Sequence, residues 1–388
     1  MRLRRVLTCL IALATVGGGG YLATPYVRSL SLVLRAADFG GPAEAFANRQ
    51  ARTVSVQRTS AIPTRFGDVV ARAYEPEGGF SRTVLLIPGI HAAGIDEPRL
   101  TALARDLAGS GVAVMTIALP DLREYRITPR STDVIEDAIA WLSRQPRFAS
   151  DGRVGILGVS FAGGLSIVAA GRPAVRDRVA FIVSFGGHGD LSRVMRYLCT
   201  GQEPAIEGLE ARRPHDYGVA VVLYGMADTV VPADQVQPLR DGVRTFLQAS
   251  QETLVDATRA AQTFRSARDM ALRLPEPAAT YLTYVNDRNV TALGPVLLPH
   301  LAALASDDPA LSPERAPSPP AAPVFLLHGA GDTVIPAAES VLLDRYLDGR
   351  APVRLLLSQL ITHAEIDKGA AASETWKLVS FWAGVLRH

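Results

Sequence analysis

Cysteine is nearly absent from this chain of 388 residues. Of its two cysteines, Cys9 lies in an apolar stretch near the N-terminus and Cys199 stands alone in the body. This scarcity excludes a disulfide within the folded part and a cysteine-rich zinc site. An exported protein is still compatible with the sequence, because many exported proteins form no disulfides.

The chain also lacks a strong excess of charge and the signatures of common cofactors. Its 40 basic and 38 acidic residues leave a net charge of +2, so no nucleic-acid-binding surface is predicted. There is no phosphate-binding G-x-x-x-x-G-K-[ST] loop, no H-E-x-x-H and no G-x-G-x-x-G after a strand. We therefore expect no metal and no organic cofactor. A hydrophobic content of 48% can supply a large core and argues against a wholly disordered chain.

The N-terminal 48 residues are typical of an export or anchor segment followed by a connector. Arg2, Arg4 and Arg5 precede an uncharged run of 22 residues, Val6–Val27, which is long enough to span a bilayer. The arginines favour an N-terminus inside the cell and a body outside it. We favour an uncleaved anchor. A cleaved signal peptide remains the alternative, which would make the protein secreted or periplasmic.

Residues 49–388 alternate between short β-branched runs and helical patterns. Strands are predicted at Thr53–Arg58, Val69–Tyr74, Thr83–Ile87, Val112–Ile117, Val154–Leu157, Val179–Phe185, Val324–Leu327 and Val353–Leu357. Polar residues alternate in the first two, which indicates an antiparallel edge, and the later strands are apolar enough to be covered on both faces. This order predicts an α/β fold with an eight-stranded, mostly parallel, doubly wound sheet.

One interval, residues 189–322, shows helical patterns instead of strand–helix repeats, and we interpret it as a helical cap inserted into the sheet domain. Helices are also predicted between the strands, and Asp133 with Glu136 fits a capping box at the start of one of them.

The strongest chemical signal follows the fifth strand. Val154–Leu157 runs into the segment GVSFAGG (158–164), which places Ser160 in a strand–turn–helix context. A nucleophilic serine occupies such a turn in the pattern G-x-S-x-G, and here Ala162 replaces the last glycine. The alternative is an ordinary turn in which the serine side chain caps the helix.

Two further strand ends supply an acid and a base. Asp332 follows the seventh strand and His363 follows the eighth, so the order Ser160, Asp332, His363 fits a serine–acid–histidine triad. Asp228 lies in a segment similar to that of Asp332, but its apolar neighbours have helical spacing, so we favour Asp332. For His188, after the sixth strand, we favour a structural role over one in the pocket.

The oxyanion hole of such a site needs two backbone N–H groups. Phe161, directly after the serine, would supply one. Ile90, which follows Pro88 and Gly89 after the third strand, is our choice for the second. His91 is a possible substrate contact, with a loop histidine bonded to backbone as the alternative.

With these residues the chain resembles alpha/beta hydrolases of the esterase, lipase and dienelactone-hydrolase-like group. The resemblance covers roughly residues 50–388. It is carried by LLIPGIHAAG (85–94), GVSFAGG (158–164), HGAGDTVIP (328–336) and the histidine of LITHAEI (360–366). It implies an acyl-enzyme mechanism in which Ser160 attacks a carbonyl, His363 carries the proton and Asp332 orients His363. Dienelactone hydrolases proper use cysteine at this turn, so their substrate does not carry over.

The sequence thus predicts a membrane-anchored or exported serine hydrolase acting on a small-molecule carboxylic ester or a related acyl bond. Two alternatives remain at this point: an acyltransferase with the same triad, and a non-catalytic binding protein on a hydrolase scaffold. The oligomeric state is not predicted.

Overall fold

A computed structural model describes residues 24–37, 41–253, 256–306, 308–361 and 368–388. Most of the predicted membrane segment lies outside these ranges, so the anchor stays a prediction. Among the described residues, no helix combines the length and the hydropathy needed to cross a bilayer.

The centre of the molecule is an eight-stranded sheet. The strands are β1 (Val54–Thr64), β2 (Gly67–Pro76), β3 (Thr83–Ile87), β4 (Ala113–Ile117), β5 (Val154–Val159), β6 (Val179–Phe185), β7 (Val324–Gly329) and β8 (Val353–Ser358). Their order is β1-β2-β4-β3-β5-β6-β7-β8. Strand β2 pairs antiparallel with β1 and β4, and all other pairs are parallel. The predicted mostly parallel sheet with an antiparallel edge is confirmed.

Helices cover both faces of this sheet. They are α1 (24–36), α2 (Gly41–Gln50), α3 (Pro98–Gly109), α4 (Pro120–Arg123), α5 (Pro129–Leu142), α6 (Phe161–Gly171), α7 (Leu191–Thr200), α8 (Asp216–Val230), α9 (Ala233–Glu252), α10 (Ala257–Ala271), α11 (Ala278–Asn286), α12 (Val290–Leu297), α13 (Asp308–Leu311), α14 (Ala338–Leu347) and α15 (Lys368–Val385). One hydrophobic cluster contains residues of α5, α6 and α14. A second contains residues of α1, α3 and α15. Because both faces are covered, the central strands have no solvent-facing side, which explains their continuous apolar sequences.

The proposed capping box at Asp133 is wrong. Helix α5 begins four residues earlier, at Pro129, where the ring fixes a helical φ and the missing N–H costs nothing. Asp133 and Glu136 therefore lie inside the helix. Both bind Arg172, with N···O distances of 2.5 and 2.8 Å, and so join α5 to the end of α6.

Between β6 and β7, the described residues form helices α7–α13 and no strand. This is the inserted helical cap. Its apolar residues continue the first hydrophobic cluster of the sheet domain, with Leu198, Leu223 and Phe246 all buried within it. The cap therefore shares a core with the sheet.

A buried ion-pair network joins the cap to the sheet domain. Arg193 of α7 bonds Glu339 of α14 at 2.6 Å and Glu314 of the returning chain at 2.7 Å. The Glu339 side chain is fully buried and also accepts the N–H groups of Gly189 and Asp190. Burial raises the pKa of Glu339, while Arg193 acts in the opposite direction. Arg193 and Glu339 together thus connect the segment that enters the cap, the segment that leaves it and helix α14 of the sheet domain.

Replacing Arg193 with alanine is expected to destabilise the protein by about 3–5 kcal/mol, because it leaves a buried carboxylate without its cation. Urea unfolding measures the change. The matched control is Arg212→Ala, which breaks a solvent-exposed pair with Glu210 and should cost no more than about 1 kcal/mol. Equal losses in the two variants would show that the buried network does not stabilise the cap.

The N-terminal helix α1 belongs to the folded body. Leu32 and Val33 are buried in the second hydrophobic cluster, and the Ser29 hydroxyl donates to the Val379 carbonyl of α15 at 2.6 Å. Arg35 forms an ion pair of 2.7 Å with Asp106 of α3. The body therefore begins well before residue 49, where the sequence alone indicates its start.

Candidate active site

Ser160 forms the turn between β5 and α6. Its backbone has φ +57° and ψ −135°, a region that non-glycine residues seldom occupy. The side chain makes no capping hydrogen bond to α6 and is half-buried. The alternative of an ordinary helix-capping serine is therefore wrong. A strained turn that lifts the serine hydroxyl away from the helix end, without capping the helix, is the geometry of a nucleophile elbow.

Small residues around the serine are required by close backbone contacts. A Cβ added to Gly158 would lie 2.3 Å from the carbonyl oxygen of Ala162, and one added to Gly164 would lie 2.5 Å from the His188 ring. Ala162 itself is fully buried. The alanine in place of the pattern's last glycine thus fits the packing of the turn.

A Gly158→Ala substitution is expected to destabilise the fold by about 1–3 kcal/mol or more, because its Cβ would overlap a backbone oxygen that cannot move independently. The control is Gly225→Ala on the exposed face of α8, where an added Cβ meets nothing within 4 Å. That change should stabilise the protein by about 0.5–1 kcal/mol. Thermal unfolding of both variants makes the comparison, and similar melting temperatures would contradict it.

The loop after β3 lies directly beside Ser160. A Cβ built on Gly89 would be 3.2 Å from Cβ of Ser160, so the next residue, Ile90, is close to the serine. Neither the Ile90 nor the Phe161 N–H donates to a backbone acceptor among the described residues. Phe161 is the first residue of α6, so the partial positive charge at that helix end adds to its N–H. Both groups can therefore serve as donors to an oxyanion.

His91 follows in the same loop. Its Nδ1 accepts the Ala93 N–H at 3.1 Å, and burial lowers the pKa of the ring. We assign the proton of the neutral ring to Nε2, because Nδ1 is the acceptor. His91 is thus a loop histidine bonded to backbone whose Nε2–H can still donate to a ligand. It is not arranged to accept a proton from Ser160.

Asp332 lies in the loop after β7. Its Oδ1 accepts the N–H groups of Val334 and Ile335 at 2.8 and 3.1 Å, which orients the carboxylate. A Cβ built on Gly186, the residue after β6, would lie 3.5 Å from Oδ2 of Asp332. The Asp332 carboxylate therefore lies near the carboxyl end of β6, the strand next to the one that carries Ser160.

Cap residues contact this acid loop, and sequence reasoning missed them. The His215 N–H donates to the Thr333 carbonyl at 2.8 Å, just before α8 begins. Burial raises the pKa of Tyr217, and the negative charge of Asp332 raises it further. The start of α8 thus covers the acid loop. Nothing local in the sequence marks this contact, since it joins residues more than a hundred positions apart.

His328 was also missed as a supporting residue. It is fully buried at the end of β7, where Nδ1 contacts the Ser340 hydroxyl at 2.6 Å and Nε2 contacts the Ile335 carbonyl at 2.8 Å. Since both ring nitrogens are occupied, His328 holds the acid loop and is not free to act as a base. A histidine at the end of a continuous apolar strand is expected to be buried, and this position could have identified His328 from the sequence.

His188 is buried beneath the elbow. Its Nε2 bonds the Leu311 carbonyl at 2.8 Å, and its ring packs against Phe161 and Gly164. Burial lowers its pKa to about 4, so the ring is neutral. These contacts favour the structural role.

Two other predictions have different outcomes. Asp228 lies near the end of helix α8, which confirms the helical interpretation of that segment. Its side chain is 60% exposed and pairs with Arg240. His363 lies outside the described residues, so its role as the base stays a prediction.

A cavity of about 300 Å³ lies between the candidate oxyanion loop and the cap. It is lined by Ala92, Pro120, Arg123, Glu124, Tyr125 and Arg244. Arg123 donates to the Ala92 carbonyl at 3.2 Å, and Arg244 comes from cap helix α9. The lining combines apolar surface with charged side chains from both sides, Arg123 and Glu124 from the body and Arg244 from the cap.

The strand order, the elbow after β5 and the helical insertion after β6 together define the alpha/beta-hydrolase fold, as the sequence resemblance implied. The candidate nucleophile, oxyanion donors and acid lie in loops at the carboxyl ends of β3, β5 and β7, where open α/β sheets bind ligands.

No protein-family model matches the sequence, and a search of curated proteins finds no significant match. Solved structures with a similar course of the chain include an esterase from Pyrobaculum calidifontis, with a TM-score of 0.44, 16% identity and coverage of 93% of this chain and 91% of that one. An esterase from Pyrococcus furiosus has a TM-score of 0.41 and 11% identity, covering 85% and 89%. An acylaminoacyl peptidase from Pyrococcus horikoshii has a TM-score of 0.42 and 11% identity, and the match covers 88% of this chain and 42% of that one.

Proposed function

We propose that this protein is a serine hydrolase that cleaves a carboxylic ester or a related acyl bond. The observation that carries the proposal is the strained turn at Ser160, whose side chain does not cap α6 and lies beside the Gly89–Ile90 loop. A serine that only connected a strand to a helix would not need a left-handed backbone.

In the proposed reaction, the Ser160 hydroxyl attacks the acyl carbon while His363 takes its proton. The oxygen that becomes negative is stabilised by the N–H groups of Phe161 and Ile90. Asp332 keeps His363 in the tautomer that accepts this proton and stabilises the imidazolium. His363 then gives the proton to the departing alcohol, which leaves an acyl group on Ser160. Water attacks this acyl-enzyme while His363 takes a proton from it, and the proton returns to the Ser160 oxygen as the acid is released.

The proposed substrate is a small ester. The cavity beside the oxyanion loop has a volume of about 300 Å³, at the lower end of the range for small-molecule sites. Arg123, Tyr125 and Arg244 line it and can donate hydrogen bonds to polar groups of a ligand. These side chains favour a short, polar acyl or alcohol group over a long alkyl chain.

The proposed location is the outer face of a membrane, with the N-terminal segment as the anchor. The run Val6–Val27 and the arginines before it support this location. Extraction of membranes with sodium carbonate tests it, since an integral anchor keeps the protein in the pellet and a cleaved signal does not.

A fluorophosphonate probe tests the function. The full chain in neutral detergent is expected to form one covalent adduct, mapped by mass spectrometry to Ser160, and to hydrolyse p-nitrophenyl acetate or butyrate faster than the palmitate. Ser160→Ala should not be labelled. A folded protein that forms no adduct with probes of several sizes would instead favour the non-catalytic binding protein.

A further inference from the structure

Two arginines, Arg28 and Arg52, lie close together on the face where the N-terminal helix joins the body. A Cβ built on Gly111 would lie 3.5 Å from Nη1 of Arg28 and 3.5 Å from Cζ of Arg52. The two guanidinium groups are therefore no more than about 7 Å apart. Among the described residues, neither forms an ion pair with a carboxylate, although Arg52 donates to the Gly79 carbonyl at 2.6 Å.

Like charges at this separation repel each other, and partial burial strengthens the repulsion. Burial lowers the pKa of Arg28, and the charge of Arg52 lowers it further. Such a pair becomes favourable when an anion lies between the two groups, and a guanidinium matches the oxygens of a phosphate with paired hydrogen bonds.

A small cavity lies at the same place. Its volume is about 90 Å³, and Arg28, Gly111 and Arg387 are among the residues that line it. Phe181, Val183 and Trp382 also line it and contribute apolar surface. A third arginine, Arg387, stacks on the ring of Tyr26 at 5.1 Å and also lacks a carboxylate partner among the described residues. The cavity is thus lined by both basic and apolar side chains.

The position of Arg28 in the sequence indicates where the anion comes from. Arg28 is the first charged residue after the uncharged run Val6–Val27. If that run spans a bilayer, Arg28 lies at the depth of the lipid headgroups. Beside it, Tyr26 stacks on Trp376 at 5.8 Å, and Trp376 is 59% exposed. Exposed tryptophan and tyrosine are enriched at this depth of a membrane.

We propose that Arg28 and Arg52 bind the phosphate of an anionic phospholipid, and that this contact holds the body against the membrane surface. The inference rests on the proposed membrane segment and not on the hydrolase activity. Since α1 is packed on α3 and α15, a lipid bound at Arg28 fixes the orientation of the whole domain. The carboxyl ends of the strands, where the candidate active site lies, are at the opposite end of the sheet from this cavity.

The test uses the full chain in dodecyl maltoside micelles. Dioctanoyl phosphatidylglycerol, dioctanoyl phosphatidylcholine and inorganic phosphate are each added, and binding is followed by native mass spectrometry and by the rise in melting temperature. Phosphatidylglycerol is expected to bind best. Arg28→Gln and Arg52→Gln should each weaken its binding by about tenfold or more, since each removes a charge-assisted contact. Arg28→Lys should retain part of the affinity.

Arg213→Gln, an exposed arginine of the cap, is the matched control and should bind as the wild type does. Undiminished binding in both the Arg28 and the Arg52 variants would overturn the proposal. Inorganic phosphate or phosphatidylcholine binding as tightly as phosphatidylglycerol would overturn the assignment to an anionic lipid. Carbonate extraction of the same variants reports the anchor separately: loss of lipid binding with full retention in the pellet separates this site from the membrane segment.

Discussion

Replacing Ser160 with alanine is expected to lower kcat for ester hydrolysis by about a millionfold, because the acyl-enzyme route requires the hydroxyl. The fold should persist, since the Ser160 side chain makes no capping hydrogen bond and alanine keeps its Cβ. Initial rates with p-nitrophenyl butyrate measure the loss, and thermal unfolding checks the fold.

The matched control is Ser166→Ala, in the same helix. The Ser166 hydroxyl is buried, and it has no hydrogen-bond partner among the described residues. Its removal should leave the rate unchanged. A Ser160→Ala protein that keeps a substantial part of its activity would place the nucleophile elsewhere in the chain.

The second large effect is expected at Asp332. Asp332→Asn should lower kcat by about 10⁴-fold, because an amide no longer holds the catalytic histidine in the tautomer that accepts a proton. The asparagine oxygen can still accept the Val334 and Ile335 N–H groups, so the loop should keep its shape. His363→Ala is expected to cause a comparable loss, since the two residues act together.

Asp228→Asn is the control for this experiment, because its surrounding sequence is so similar to that of Asp332. Asp228 is exposed and paired with Arg240, so its substitution should change kcat little. The opposite result, with Asp228 required and Asp332 dispensable, would contradict the assignment of the acid.

The two aspartates show what the local sequence cannot decide. The segments around Asp228 and Asp332 share the pattern G-x-x-D-T-V-x-P. The segment of Asp228 forms the end of helix α8. The segment of Asp332 follows a buried strand, and the Asp332 carboxylate accepts backbone N–H groups of its own loop. The apolar spacing before Asp228 was enough to predict the helix, because a helix repeats its buried face every three to four residues.

The two capping assignments show the same limit for local patterns. At Asp133 the sequence fits a capping box, yet α5 starts at Pro129 and the acidic residues bind Arg172 of another helix. At Ser160 a cap was the ordinary alternative, yet the backbone has a positive φ and the side chain makes no capping hydrogen bond. Both outcomes depend on neighbours distant in the sequence.

The sequence by itself determined the elements of this protein and their order. The eight strands, the antiparallel edge, the helical insertion and the strand–turn–helix around Ser160 follow from hydrophobic periodicity and from the turn residues. These features depend on interactions between residues close together in the chain.

Only the tertiary structure decided which side chains meet. Four contacts join segments that are distant in the sequence. They are the ion pairs of Arg193, the support of the acid loop by His328, the approach of the cap to Asp332, and the proximity of Arg28 and Arg52. A residue pattern records whether a position is buried, but not what it is buried against. The residues that line the cavity could not be predicted for this reason, since they come from the body and from a cap helix that meet only when the chain is folded.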